Sequence, residues 1–178
     1  MNTEPDPDLQ QSIAGNEISR MSPEALQYEL EQLKLAQNLP RGIFAGLAAA
    51  IVMAALWAVI TVVTEYQIGY MAIAVGFVVG FAIRYAGKGI VKTFGVAGAA
   101  LALLGCALGN LFSQIGFIAA HYETTYAAVF SSVISEPSMI MAIMVESFSL
   151  MDILFYGLAA YAGYQYSFVK ISENVEIG

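Results

Sequence analysis

Few side chains in this sequence could act as metal ligands, acids or nucleophiles. There is one histidine, His121, and one cysteine, Cys106. Glu123 follows His121 by two positions, and the other carboxylates between residues 42 and 169 are Glu65, Glu136, Glu146 and Asp152. A His-x-Glu pair with further carboxylates is the minimum for a divalent-cation site. One histidine among scattered carboxylates lacks a ligand spacing, so no metal ligand is assigned. A lone cysteine excludes an internal disulfide and a cysteine-rich metal cluster. No nucleophile elbow, Walker loop, HExxH or CxxC is present. Gly87 and Gly89 fall in the turn Ala86-Gly87-Lys88-Gly89 with no strand before them, so they do not form a phosphate loop. The expectation is a protein without catalytic or cofactor-binding residues, and not an enzyme.

A second polar set has a different chemistry. Asn110, Ser113, Gln114 and His121, with Phe117, fall on one face at helical spacing inside an otherwise apolar stretch. Amides on such a face either hydrogen-bond across helices or line a water path. The same stretch carries no Asp, Glu, Lys or Arg, which weighs against proton-coupled transport, because a proton carrier needs a titratable group at bilayer depth.

The elements that must hold this face follow from composition. Of 178 residues, 58% are hydrophobic and 12% charged. A soluble domain carries about 25% charged residues. Mean hydropathy is +0.68. The net charge of −7 opposes nucleic-acid binding. Apolar runs at 42–63, 68–84, 94–120 and 150–169 contain almost no charge, and about 20 such residues cross a bilayer. The expected fold is therefore all-α and integral to the membrane: a four-transmembrane-helix bundle over 42–169. The second run is short, with Tyr66, Tyr70 and Arg84 as interfacial anchors. The third is longer than needed and should tilt or protrude.

The flanks read differently. Residues 1–41 hold three basic and seven acidic side chains. Residues 1–21 are polar enough to be expected as a disordered tail, and 170–178 as a second short tail. Ser22-Pro23-Glu24 reads as a helix start, and Leu26, Leu30 and Leu33 share one face of a helix expected over 22–39, ended by Pro40. Residues 121–149 are too apolar for a solvated loop. Their Met-rich run 139–145 and the turn Ser135-Glu136-Pro137-Ser138 suggest short interfacial helices, either on the bundle or dipping into it. Ser149 and Asp152 resemble a capping box for the last span.

Orientation comes from the basic residues. Arg20, Lys34 and Arg41, then Arg84, Lys88 and Lys92, then Lys170 all fall on one side of a four-span chain. The positive-inside rule places that side, and both termini, in the cytoplasm.

Small residues recur within the spans: Gly42, Gly46 and Ala50, then Ala72, Gly76 and Gly80, then Gly98, Ala102, Gly105 and Gly109, then Gly163. Spacings of four let backbones approach in lipid. The number of such stripes suggests a homo-oligomer or a membrane-protein partner in addition to the bilayer itself, with no nucleic-acid partner and no cofactor.

The pattern Trp57…Thr64-Glu65-Tyr66-Gln67-Ile68-Gly69…Ala72…Gly76…Gly80…Arg84, with Gly87 and Gly89, resembles a family of small bacterial multi-span inner-membrane proteins without an assigned activity. The resemblance covers residues 42–90, with an echo in residues 152–159. It implies location in the bacterial inner membrane and carries no catalytic residue. The functional expectation is a non-enzymatic scaffold or accessory subunit of a membrane assembly. The alternative is a homo-oligomeric channel or passive transporter that uses the polar face of the third span.

Overall fold

The computed structural model describes residues 23–66 and 69–169. The tails expected at 1–21 and 170–178, together with Ser22, Gln67 and Ile68, lie outside the described residues. The described chain forms seven helices: α1 (Pro23–Leu35), α2 (Leu39–Thr64), α3 (Tyr70–Gly87), α4 (Lys92–His121), α5 (Tyr126–Ser135), α6 (Pro137–Ser147) and α7 (Leu150–Tyr166). No strand occurs among the described residues. The chain divides into two units, Asn38–Val169 and Met1–Gln37 with Lys170–Gly178.

In the smaller unit, α1 carries Glu24 in its first turn and Lys34 in its last. Both charges complement the helix dipole. Leu30 is half-buried and Leu33 exposed. The helix ends at Leu35, earlier than the expected 39, where Ala36 N–H donates to the Gln32 carbonyl at 3.0 Å.

Pro40 does not end a helix but sits in the first turn of α2. The first-turn N–H groups of a helix have no intrahelical partner, so proline loses nothing there. Asn38 caps the helix, its side chain accepting from Arg41 N–H at 2.9 Å. The helix thus begins at Leu39, three residues before the expected Gly42.

Helix α2 is apolar on all sides, and its buried face combines a small-residue stripe with Met53 and Trp57. Gly42, Gly46, Ala50, Ala54 and Ala58 are buried, while Phe44, Val52, Leu56, Val59 and Val63 face outward. Lipid tails are as apolar as leucine, so there is no hydrophobic reason to hide large side chains. Small residues go inside because they let helices approach.

Helices α3 and α4 pack on each other, α2 packs on both, and α7 packs on both from the other side. The connection between α3 and α4 gathers the chain at one end. Lys88 takes a left-handed conformation (φ 50°) and donates its N–H to the Arg84 carbonyl. Asn38 N–H donates to the Gly87 carbonyl and Val169 N–H to the Gly89 carbonyl, each at 2.9 Å. The start of α2 and the segment after α7 are thus both tied to this turn. Phe94, 2% exposed, fills the space beneath it. A Cβ on Gly87 would lie 2.6 Å from the Phe94 ring and 3.1 Å from the Gly42 Cα, so the turn closes only over glycine.

Three helices, α2, α3 and α4, are long and apolar enough to cross a membrane, and a fourth crossing results if the bent pair α5–α6 is one span. That pair turns by 110° at Glu136, where the sequence placed its turn. The 17 residues of α7 fall short of the expected 150–169. At 1.5 Å per residue α7 is about 25 Å long, a little less than the hydrocarbon core. Its start is the capping box: Ser149 accepts from Met151 N–H at 3.2 Å, and Asp152 accepts from Ser149 N–H at 2.7 Å.

Candidate functional site

The polar face expected on the third span divides along α4. Asn110 and Ser113 are 1% and 0% exposed, Gln114 is half-buried, and His121 is exposed at the end of the helix. From Asn110 to His121 the helix rises about 16 Å, so these groups do not meet in one place. The Ser113 hydroxyl donates to the Gly109 carbonyl, one turn back on its own helix, at 2.7 Å. The His121 ring stands edge-on to Tyr122.

Asn110 belongs to a polar seam that crosses the bundle. Its amide meets the Tyr156 hydroxyl, which donates to the Cys106 carbonyl at 3.3 Å. The Cys106 thiol points at the Ala72 carbonyl, 3.8 Å away. The seam therefore joins α3, α4 and α7 through side chains that face polar groups of a neighbouring helix. One turn apart on α2, the Trp57 indole N–H and the Thr61 hydroxyl are also buried.

The small-residue stripes are occupied within the chain. Gly76 and Gly80 face α7, where a Cβ on Gly76 would lie 2.9 Å from the Ala159 Cα, and one on Gly80 would lie 2.9 Å from the Tyr166 Cβ. Gly98 and Gly163 face each other across α4 and α7, and a Cβ on Gly163 would come 2.6 Å from the Gly98 carbonyl oxygen. Gly105 faces Ala50, and Gly109 lies under the Trp57 ring. Gly42 and Gly46 face Ile83, while Ala50, Ala72 and Ala102 are fully buried. The stripes that the sequence singles out are thus used in contacts between helices of this chain, while Gly157 faces outward.

Chemistry at these groups is limited. Among the described residues, no three His, Cys, Asp or Glu side chains come together to hold a metal ion. Asp152 serves as a cap, and Glu65, Glu123 and Glu136 are exposed.

The sequence reading missed an apolar groove of about 660 Å³. Helix α2 supplies Ala55, Val59 and Val62, helix α4 supplies Phe112, Gly116 and Ala119, and helix α5 supplies Tyr126 and Phe130. Helix α5 rests on α4 through Val129 and Val133 against Ile115 and Ala119. The groove lies between it and α2. The Phe130 ring stacks on Tyr126 (19° between planes) and meets Phe112 edge-on. One signal was legible: Gly109 plus seven is Gly116, the same helical face two turns on.

No protein-family model matches the chain, and no curated protein or solved structure matches it.

Proposed function

We propose that this protein is a non-enzymatic, four-span scaffold or accessory subunit of a bacterial inner-membrane assembly, with both termini in the cytoplasm. The observation that carries this reading is the burial of Asn110 and Ser113, 1% and 0% exposed. A conducting helix would turn such groups toward water. Here Ser113 bonds back to its own helix, and Asn110 meets Tyr156 on another, where an interhelical hydrogen bond contributes about 0.6 kcal/mol.

The fourth span in this reading is α7. It lies against α3 at Gly76–Ala159 and Gly80–Tyr166, and against α4 at Gly98–Gly163. A helix packed backbone to backbone on two spans shares their depth, and its shortness is met by local thinning of the bilayer. The α5–α6 pair is then a re-entrant or interfacial hairpin. Arg41, Arg84, Lys88 and Lys92 cluster around the α3–α4 turn at one end of the bundle, and Glu65, Glu123 and Asp152 at the other. This segregation supports the orientation. Partners would meet the outward side chains of α6 and α7, such as Met141, Val145, Leu150 and Leu154. The resemblance over residues 42–90 supports placement in the bacterial inner membrane.

A cysteine scan of positions 107–117 in a Cys106→Ala background, probed with a membrane-impermeant thiol reagent, tests the role. Protection throughout is expected. Labelling at positions 110 and 114 with 108, 111 and 115 protected would mean a hydrated face and a channel. Reporters tested after Val175 and near Ser138 test orientation: one that works only outside the cytoplasm should be silent at the first position and active at the second.

A further inference from the structure

We propose that the four cations around the α3–α4 turn, Arg41, Arg84, Lys88 and Lys92, bind the headgroup of a net-anionic phospholipid, with its acyl chains on the apolar side chains one turn deeper. The proposal rests on the membrane placement above and not on the scaffold role.

The fold gathers these cations and leaves them without counter-charge. Three stretches of backbone meet on the Phe94 ring: a Cβ on Gly42, Gly87 or Gly89 would lie within 3.3 Å of it. Gly42 follows Arg41, Gly87 precedes Lys88, and Lys92 starts the helix that carries Phe94. Arg84 lies one turn before Lys88, whose N–H its carbonyl accepts at 2.9 Å. All four side chains are exposed. The carboxylates described in this unit sit elsewhere. Glu65 caps the far end of α2, Glu123 follows α4, and Asp152 opens α7, whose other end is tied to the turn. Glu136 and Glu146 belong to the α5–α6 pair, which packs on α4 at Leu111, Ile115 and Ala119. From Lys92 to Leu111 the helix rises about 28 Å, several Debye lengths at physiological salt. Four like charges held together with no carboxylate of their unit in range favour an anion.

What lies beneath the cations selects a lipid over a soluble anion. Three of them have a large exposed apolar side chain one turn toward the middle of the bundle: Phe44 for Arg41, Phe81 for Arg84 and Val96 for Lys92. Side chains three or four apart share a helix face. Tyr85 is exposed beside Arg84, and its amphipathic ring suits the membrane interface. A phosphate free in solution would use the cations alone. A phospholipid uses both levels, with its phosphate on the guanidinium and ammonium groups and its chains on Phe44, Phe81 and Val96. The headgroup must carry net negative charge, since an ammonium group on it would face four cations and no carboxylate of this unit.

Native mass spectrometry of the full chain in mild detergent tests this, with phosphatidylglycerol and phosphatidylethanolamine added at equal concentration. Phosphatidylglycerol should be retained roughly fivefold more than phosphatidylethanolamine. A cation near anionic lipid contributes about a factor of five, so Arg84→Gln with Lys88→Gln should cut phosphatidylglycerol retention roughly 25-fold. Arg41→Gln with Lys92→Gln is the second pair if the first fails to fold. Glu65→Gln with Glu123→Gln changes the net charge by as much at the opposite end of the bundle, and should leave retention unchanged. Equal retention of the two lipids, or wild-type retention in a folded cation variant, would overturn the proposal. A rise in the carboxylate variant would assign the preference to net charge and overturn the site. Displacement of the lipid by inorganic phosphate at matched ionic strength would assign the cations to a soluble anion and overturn it too. Failure of the membrane reading would show separately, as release of the chain by alkaline carbonate washing.

Discussion

The bundle has two regions built on opposite principles. Along α3, α4 and α7, backbone meets backbone at Gly76, Gly80, Gly98 and Gly163. In the α5–α6 pair, only Val129 and Val133 are buried, and α6 buries no residue at all. The first region has one way to fit, since the atoms facing each glycine include backbone that cannot rotate aside. The second is held by a few aliphatic contacts and presents Met139, Met141 and Val145 outward. Flexible methionine surface adapts to whatever covers it. Specificity of fold therefore resides in the glycine seam, and adaptability in the hairpin.

The comparison breaks most decisively at Gly76. Gly76→Leu and Gly80→Leu should each destabilise by about 3 kcal/mol or more, at the top of the overpacking range, because the obstacles include main chain. Loss of extractable, monodisperse protein is the expected readout, and wild-type yield and melting would show that these glycines face lipid. Phe94→Ala comes next. It should cost about 3 kcal/mol by emptying the space under the Gly87–Gly89 turn, and thermal melting in detergent would measure it. A wild-type melting point would mean that the turn is held by its backbone hydrogen bonds alone.

The double change Asn110→Leu with Gln114→Leu should cost only about 0.6 kcal/mol, the worth of the one interhelical contact that Asn110 makes with Tyr156, and leave solute flux into proteoliposomes unchanged. Abolished flux with unchanged stability would replace the seam by a pore. The smallest effect is expected at Gly157, where a Cβ would meet nothing within 4 Å. Gly157→Ala should be neutral or stabilise by up to about 1 kcal/mol through helix propensity. A loss of stability there would reveal a contact outside this chain.

Much of this was legible in the residue order. Uncharged apolar runs announced the long helices, and Ser149 with Asp152 announced the start of α7. Ser135-Glu136-Pro137-Ser138 announced the break between α5 and α6. Boundaries were less legible because proline has two meanings: at Pro40 it opens a helix rather than closing one, and only the Asn38 cap beside it decides. The polar face was legible as a spacing but not as an environment. Asn110 and His121 share a stripe on paper, yet one is buried against Tyr156 and the other is exposed beyond the last turn.

The sequence by itself determined that the chain is helical over its long apolar stretches, because hydropathy and helical period are local properties. It also limited the histidines to one and the cysteines to one, because composition is read without any fold. Tertiary structure decided which small residues meet which: Gly98 with Gly163, Gly105 with Ala50, Gly109 with Trp57. It also decided that these stripes are filled within one chain, and that a groove opens between α2, α4 and α5. Pairing between helices depends on their relative rotation and depth. No local pattern encodes those, because every apolar face in a lipid-like chain is chemically alike until a neighbour is placed against it.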